Sequence, residues 1–334
     1  MLSLPPAAGP ISASLLEYLR GGGDHEPALE LGDDAIGARD LQLALYLLNE
    51  LHYDGIAGVD DEFEWNPRIA SLRAALGNAM LDQLLATCPL VDEVDPAYVP
   101  QRIFELIAAD DEVAPPLSRY LESHASLHQF REFVIQRSAY QLKEADPHTF
   151  AIPRIRNPAK SAMVEIQADE YGGGDPARMH SELFAKTMRE LGLDSSPGAY
   201  VEVLPAETLA TVNLITLFGL QRRWRGALVG HLAGFEITSP QPNRRYANGL
   251  RRLGLGADAT EFYDEHVEAD SVHENVAAYD LAGALARQEP KLGGQILFGV
   301  SALLYCERRF AGHILDSFEA GRSSLESFSA VTHG

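Results

Sequence analysis

The chain has 334 residues, of which 46% are hydrophobic and 22% charged, and its formal net charge is −21. That length fits one large domain or two ordinary ones, and the acid excess repels nucleic acid and anionic membranes, so neither is an expected partner. Cys88 and Cys306, the only two cysteines, are too few and too far apart for a disulfide framework or a thiolate zinc site, which fits a reducing cytoplasm.

The opening MLSLPPAAGP has no basic stretch of the kind that starts a signal peptide, and no apolar run reaches the ~18 residues needed to span a bilayer. Residues 1–35 are rich in Pro, Gly and acid and read as an irregular arm. Residues 36–115 read as accessory helices. In 38–53, Leu41, Leu43, Leu47, Leu48 and Leu51 follow helical spacing. Asn66 and Pro67 cap and open the segment 66–88, and 98–110 is a third helix. Pro115 and Pro116 break the pattern.

From residue 116 to 330 helices follow one another closely. Residues 126–148 form one, 158–171 the next, ended by Gly172, Gly173 and Gly174. Asp175 and Pro176 cap the segment 175–193. The strongly apolar stretches 205–220 and 223–239 come next, then the basic 242–255, the long 259–289 and the closing 292–318. Alternating patterns are scarce, and 198–205 (GAYVEVLP) is the best strand candidate. The reading is all-α, with helices long enough to build a bundle.

The chemistry concentrates in a few places. HVEADSVH places His266, Asp270 and His273 four and then three residues apart. On a helix of about 100° per residue they fall within roughly 40–60° of one another. Read alone, this stripe is either a metal site or a solvated polar face, since Asp264, Glu265, Glu268 and Glu274 crowd it. Glu170 and His180 flank the three glycines. On a straight helix they would stand roughly 80° apart, and the glycine break permits reorientation. Glu236 ends an apolar segment and either reaches water or is buried with a partner. Together these are three carboxylates and three imidazoles, a donor set that suits iron, manganese or zinc. The Gly triplet has neither a preceding strand nor a following Gly-Lys-Ser/Thr, so it is a poor phosphate loop. His-Glu-x-x-His, Cys-x-x-Cys-His and Gly-x-Ser-x-Gly are all missing.

Glu170-x9-His180, then Glu236, then His266-x3-Asp270-x2-His273 resembles the haem-oxygenase-like diiron oxidases and oxygenases, the iron-containing redox enzymes. DEYGGGDPARMHSELFAKTMRELGLD and GHLAGFEITS are similar to that family over roughly 118–321, and NELHYDGIAGVDDEFEWNP is similar to the accessory helices of its longer members. The resemblance implies a seven-helix bundle with additional N-terminal helices, two non-haem irons, no haem, and dioxygen as oxidant. It also implies a small-molecule substrate, an electron donor outside the chain, and a homodimer. Glu170 and His180 would hold one iron with one histidine of the last motif. Asp270 and the other histidine would hold the second, with Glu236 binding or bridging. Members that hydroxylate nitrogen add a seventh, carboxylate ligand from the preceding helix, and Glu144 stands at about that place. It otherwise reads as a surface residue at a helix end. The implied reaction is N-oxygenation of an amine, or C–C cleavage or desaturation of an aliphatic acid or amino acid. Two alternatives stand beside it: an iron-storing or metal-sensing helical protein without turnover, and a cofactor-free, thiaminase-like hydrolase on the same bundle. The hydrolase would need a cysteine nucleophile at the pocket.

Overall fold

The structure, a computed structural model, describes residues 1–21 and 32–327; the side chains of 268–272 lie outside that description. The described residues are helical throughout. Their only β feature is an isolated bridge between Leu2 and Ile56.

The helices are α1 (Pro10–Leu19), α2 (Arg39–Glu50), α3 (Pro67–Thr87), α4 (Val99–Asp111), α5 (Leu117–Ser123), α6 (Leu127–Gln141), α7 (Asp146–Thr149), α8 (Ala159–Glu170) and α9 (His180–Glu190). Then come α10 (Ala206–Leu220), α11 (Arg225–Thr238), α12 (Pro240–Arg252), α13 (Ala257–Asn275), α14 (Gly283–Gln288) and α15 (Gly293–Glu319).

α10 is apolar on all sides and almost wholly buried, as a central helix must be. It packs against α2, α6, α7, α11 and α15. α11 lies along α15 at very close range. A Cβ at Gly230 would sit 1.9 Å from the carbonyl oxygen of Ile296, and one at Gly299 would sit 2.0 Å from that of Ala227. Only glycine permits this approach, and it fixes the height at which α11 presents Glu236. An aromatic cluster of Phe130, Phe133, Phe184, Phe262 and Phe310 holds α6, α9, α13 and α15 together at one end of the site.

Three expectations are corrected. The arm at 1–35 is not wholly irregular. Ile11, Leu15, Leu16 and Leu19 bury one face of α1, and Asp40 accepts hydrogen bonds from the backbone N–H groups of Ile11 and Ser12. That remote cap stabilises a helix whose own Gly9 carries no capping side chain. The 198–205 strand candidate is a turn with a 3-10 helix at Val201–Val203, because Gly198 takes a left-handed φ of 74°. The 259–289 helix is interrupted by a π-helical segment, Val276–Ala282. Pi insertions shift the side-chain register and are common beside functional sites; this one follows His273 by three residues.

Candidate metal centre

α8 ends at Glu170, and the three glycines then reverse the chain with φ values of 67°, 62° and 89°. At Gly172 the left-handed turn is also tight: a Cβ there would lie 2.6 Å from the backbone carbon of Arg178. Asp175 caps a short 3-10 turn, Pro176–Arg178, rather than α9 itself. α9 therefore begins at His180, whose imidazole faces back onto Glu170. Nδ1 of His180 lies 3.0 Å from Oε2 of Glu170.

Two further residues join this pair. His266 of α13 stacks its ring 4.4 Å from that of His180. Glu144, in the turn between α6 and α7, lies with Oε1 3.6 Å from Nε2 of His266. Ligand atoms of Glu144, Glu170, His180 and His266 all fall within 4.8 Å of one another. Glu236 and His273 form a second pair, with Oε2 of Glu236 3.5 Å from Nδ1 of His273. Exposure of these six side chains is only 2–8%. Asp270 belongs to α13 between the two histidines, and its side chain lies outside the described residues.

The imidazole tautomers are set from behind. Nδ1 of His266 lies 2.8 Å from the carbonyl oxygen of Phe262, which can only accept, so that nitrogen carries the proton. Its Nε2 lone pair is thereby turned toward Glu144. Nε2 of His273 lies 2.9 Å from Oδ2 of Asp169, which leaves Nδ1 toward Glu236. Carboxylate and carbonyl partners behind ligating histidines are the usual support of a metal site.

The polar atoms facing inward are otherwise poorly satisfied. Oε2 of Glu170, Nδ1 of His180, Oε2 of Glu236 and Nδ1 of His273 are buried, and none has a hydrogen-bond partner among the described residues. Close contact without hydrogen-bond alignment is costly for buried polar groups unless a cation sits among them. The residues present therefore fit a metal, and nitrogen and carboxylate donors fit iron.

The electrostatics agree. Burial pushes the Glu144 and Glu236 carboxyls up, partly opposed by His266 and His273 respectively. Burial also acts to raise Glu170, but the His180 imidazole outweighs it and holds the carboxyl at about 2. Burial lowers His273, but Glu236 and then Asp169 raise it to about 9. Burial acts alike on all three acids, and the one held low is Glu170, whose imidazole stands nearest, at 3.0 Å against 3.6 and 3.5 Å for Glu144 and Glu236.

Sequence reasoning gives no role to three neighbours. Asp169 was overlooked beside Glu170; the signal was there, since consecutive helical acids at a helix end point about 100° apart and can serve front and back of one site. His148 and His231 meet as a buried pair, Nε2 to Nδ1 at 3.0 Å. Burial lowers His148 to about 4 and takes His231 well below the usual imidazole range, so both are neutral and one donates to the other. His148 lines a cavity of about 20 Å³, large enough for one water, together with Tyr140, Glu144, Glu170, Glu236 and His266. The cysteines stand apart from all of this. Both are buried, and burial raises both thiols, so neither has the character of an activated nucleophile.

Residues 131–308 match the family described as iron-containing redox enzyme. A nitrosourea synthase from Streptomyces achromogenes subsp. streptozoticus is 27% identical over 147 residues, covering 44% of this chain and 31% of that one. The matched segment thus spans about a third of that relative's length. Among solved structures, a CADD-like protein of unknown function from Nostoc punctiforme PCC 73102 superposes with a TM-score of 0.53 at 16% identity, over 65% of this chain and 97% of that one. A domain of unknown function with a heme oxygenase-like fold from Shewanella denitrificans OS217 gives 0.47 at 13% identity, over 70% and 99%.

Proposed function

This chain belongs to the iron-containing redox enzyme family, and from that premise we propose that it is a dioxygen-dependent diiron oxygenase that hydroxylates the nitrogen of a small amine. The observation that carries the choice of nitrogen is Glu144. The nitrogen-hydroxylating members that the sequence resembles add a carboxylate from this helix, and here that side chain lies within the four-residue cluster. The nitrosourea synthase relative supports the same direction.

In this reading Glu144, Glu170, His180 and His266 would hold one iron, and Glu236, His273 and Asp270 the other. Four carboxylates return −4 against the +4 of two ferrous ions, a balance that makes burial tolerable. Bound iron would supply the reduction of dioxygen; per turnover an external donor would give two electrons and solvent two protons, so that one oxygen atom enters the amine and the other leaves as water. The chain's own part is positional. Phe262 and Asp169 orient the two α13 imidazoles so that the other ring nitrogen of each faces the metal position, which His273 would meet after losing its proton. Phe235, Tyr140 and Leu232 close the centre against solvent.

Glu144→Ala and Glu170→Ala separate the elements of this reading. Glu170→Ala is expected to abolish iron retention at its site. Glu144→Ala is expected to keep most of the iron and lose hydroxylamine formation from a primary-amine panel. A Glu144→Ala protein with unchanged hydroxylamine yield would remove the ground for nitrogen.

A further inference from the structure

Beside the metal centre lies a cavity of about 200 Å³ that ends on Glu144 and His266. Its walls include Phe133, Phe184, Phe235, Tyr246, Tyr263 and Leu303. A second cavity, of about 340 Å³, shares Arg137, Tyr246 and Glu307 with it and extends to the exposed Arg119. The two cavities thus adjoin across residues that are not among the metal candidates.

Charges along the shared wall are committed except for the exposed Asp111. Arg137 donates to both carboxylate oxygens of Glu307, at 2.9 and 2.6 Å, and lies over the Phe310 ring at 4.1 Å. Asp110 is paired with Arg308. One polar group stands out. Tyr263 is 2% exposed, and its hydroxyl has no hydrogen-bond partner among the described residues. Burial raises its pKa, so it keeps its proton and offers a donor. An unpaired buried hydroxyl costs about 1–3 kcal/mol, and a phenylalanine would fill the same shape. The tyrosine is therefore explained by something it binds.

We propose that this aromatic chamber is the substrate's binding site and that the Tyr263 hydroxyl donates a hydrogen bond to an acceptor on the substrate, close to the reacting end. The proposal rests on the diiron reading only in calling the occupant a substrate. Size defines the class. A dry apolar cavity of about 150 Å³ takes benzene, so 200 Å³ takes one ring, or a slender chain of similar bulk, with a small polar substituent. The part of the molecule inside the chamber carries no negative charge, since the uncommitted charges that line it, Asp111 and the candidate ligand Glu144, are both acidic. Longer or charged portions extend into the outer cavity.

The test uses the full chain without added iron, with benzamide and toluene as probes, read by equilibrium binding in ligand-detected NMR. Benzamide carries a carbonyl acceptor and toluene does not. Tyr263→Phe is expected to weaken benzamide about tenfold, leave toluene unchanged, and leave or raise Tm, because it removes an unsatisfied hydroxyl. Leu304 also lines the chamber, and Leu304→Trp, which fills it, is expected to abolish binding of both probes. Equal benzamide affinity in wild type and Tyr263→Phe overturns the proposal, as does toluene binding that survives Leu304→Trp in a folded protein. Iron counted on the same proteins is a separate readout. Selective benzamide binding without iron uptake would defeat the diiron reading and leave the chamber standing.

Discussion

At the scale of single residues, the centre depends on protons being in the right place. His273 holds its proton to about pH 9 because Glu236 and Asp169 face its two nitrogens. A metal takes only the unprotonated nitrogen, so iron held as proposed would compete with the proton there. Apparent iron affinity is expected to rise with pH up to about 9, by close to tenfold per unit while His273 is the group that must deprotonate. Ferrous titration between pH 6.5 and 9 checks this, and a flat profile would contradict it. Asp169→Asn keeps a hydrogen-bonding group but removes the charge. It is expected to lower the His273 pKa and to weaken iron binding about 10–100-fold, as loss of such supporting groups does. An NMR titration of His273 paired with a competing chelator measures both. The sequence made the inward donors legible, because type and order suffice to suggest them. It hid the roles of Asp169 and His148, because their partners lie on other helices, and only packing reveals which side of an imidazole a carboxylate supports; it gave no sign of Tyr263, whose hydroxyl meets no partner among the described residues.

At the scale of elements, the glycine break after α8 converts a poor straight-helix geometry into a 3.0 Å contact between Glu170 and His180. Gly172 is the tightest point, with φ at 67° and backbone of residues 178 and 179 where a Cβ would stand. Gly173 is left-handed too, but open space surrounds it. Gly172→Ala is expected to cost about 1–3 kcal/mol of stability and to displace His180, whereas Gly173→Ala carries the backbone strain alone. Calorimetry on the two variants, with iron content measured on each, distinguishes them; equal effects would place the constraint elsewhere. The possibility of this turn was readable from three consecutive glycines. Two other elements were not. α1 looked irregular because its cap, Asp40, comes from a different helix. GAYVEVLP alternates like a strand, yet no second strand among the described residues pairs with it, and a lone strand leaves its backbone unsatisfied.

At the scale of the whole molecule, helical periodicity and the near-absence of alternation made the all-α class legible, while the close approach of α11 to α15 depended on which carbonyls its glycines meet. No helix among the described residues is long and apolar enough to cross a membrane. The buried candidate ligand atoms come from α8, α9, α11, α13 and the α6–α7 turn, so a metal among them would join five parts of the chain. Iron is therefore expected to stabilise the fold by mass action, by about 2.7 kcal/mol at free ferrous ion 100 times its Kd. Thermal unfolding with and without ferrous ion under anaerobic conditions tests this, and an unchanged Tm would mean that iron does not bind the native centre.

The most direct measurement is the iron count. Protein loaded anaerobically with ferrous ion and freed of excess metal is expected to retain two irons per chain. Glu170→Ala and His273→Ala are each expected to retain one or fewer. Fewer than two irons in the unaltered chain, with the same count in both variants, would contradict a dinuclear centre built from these residues.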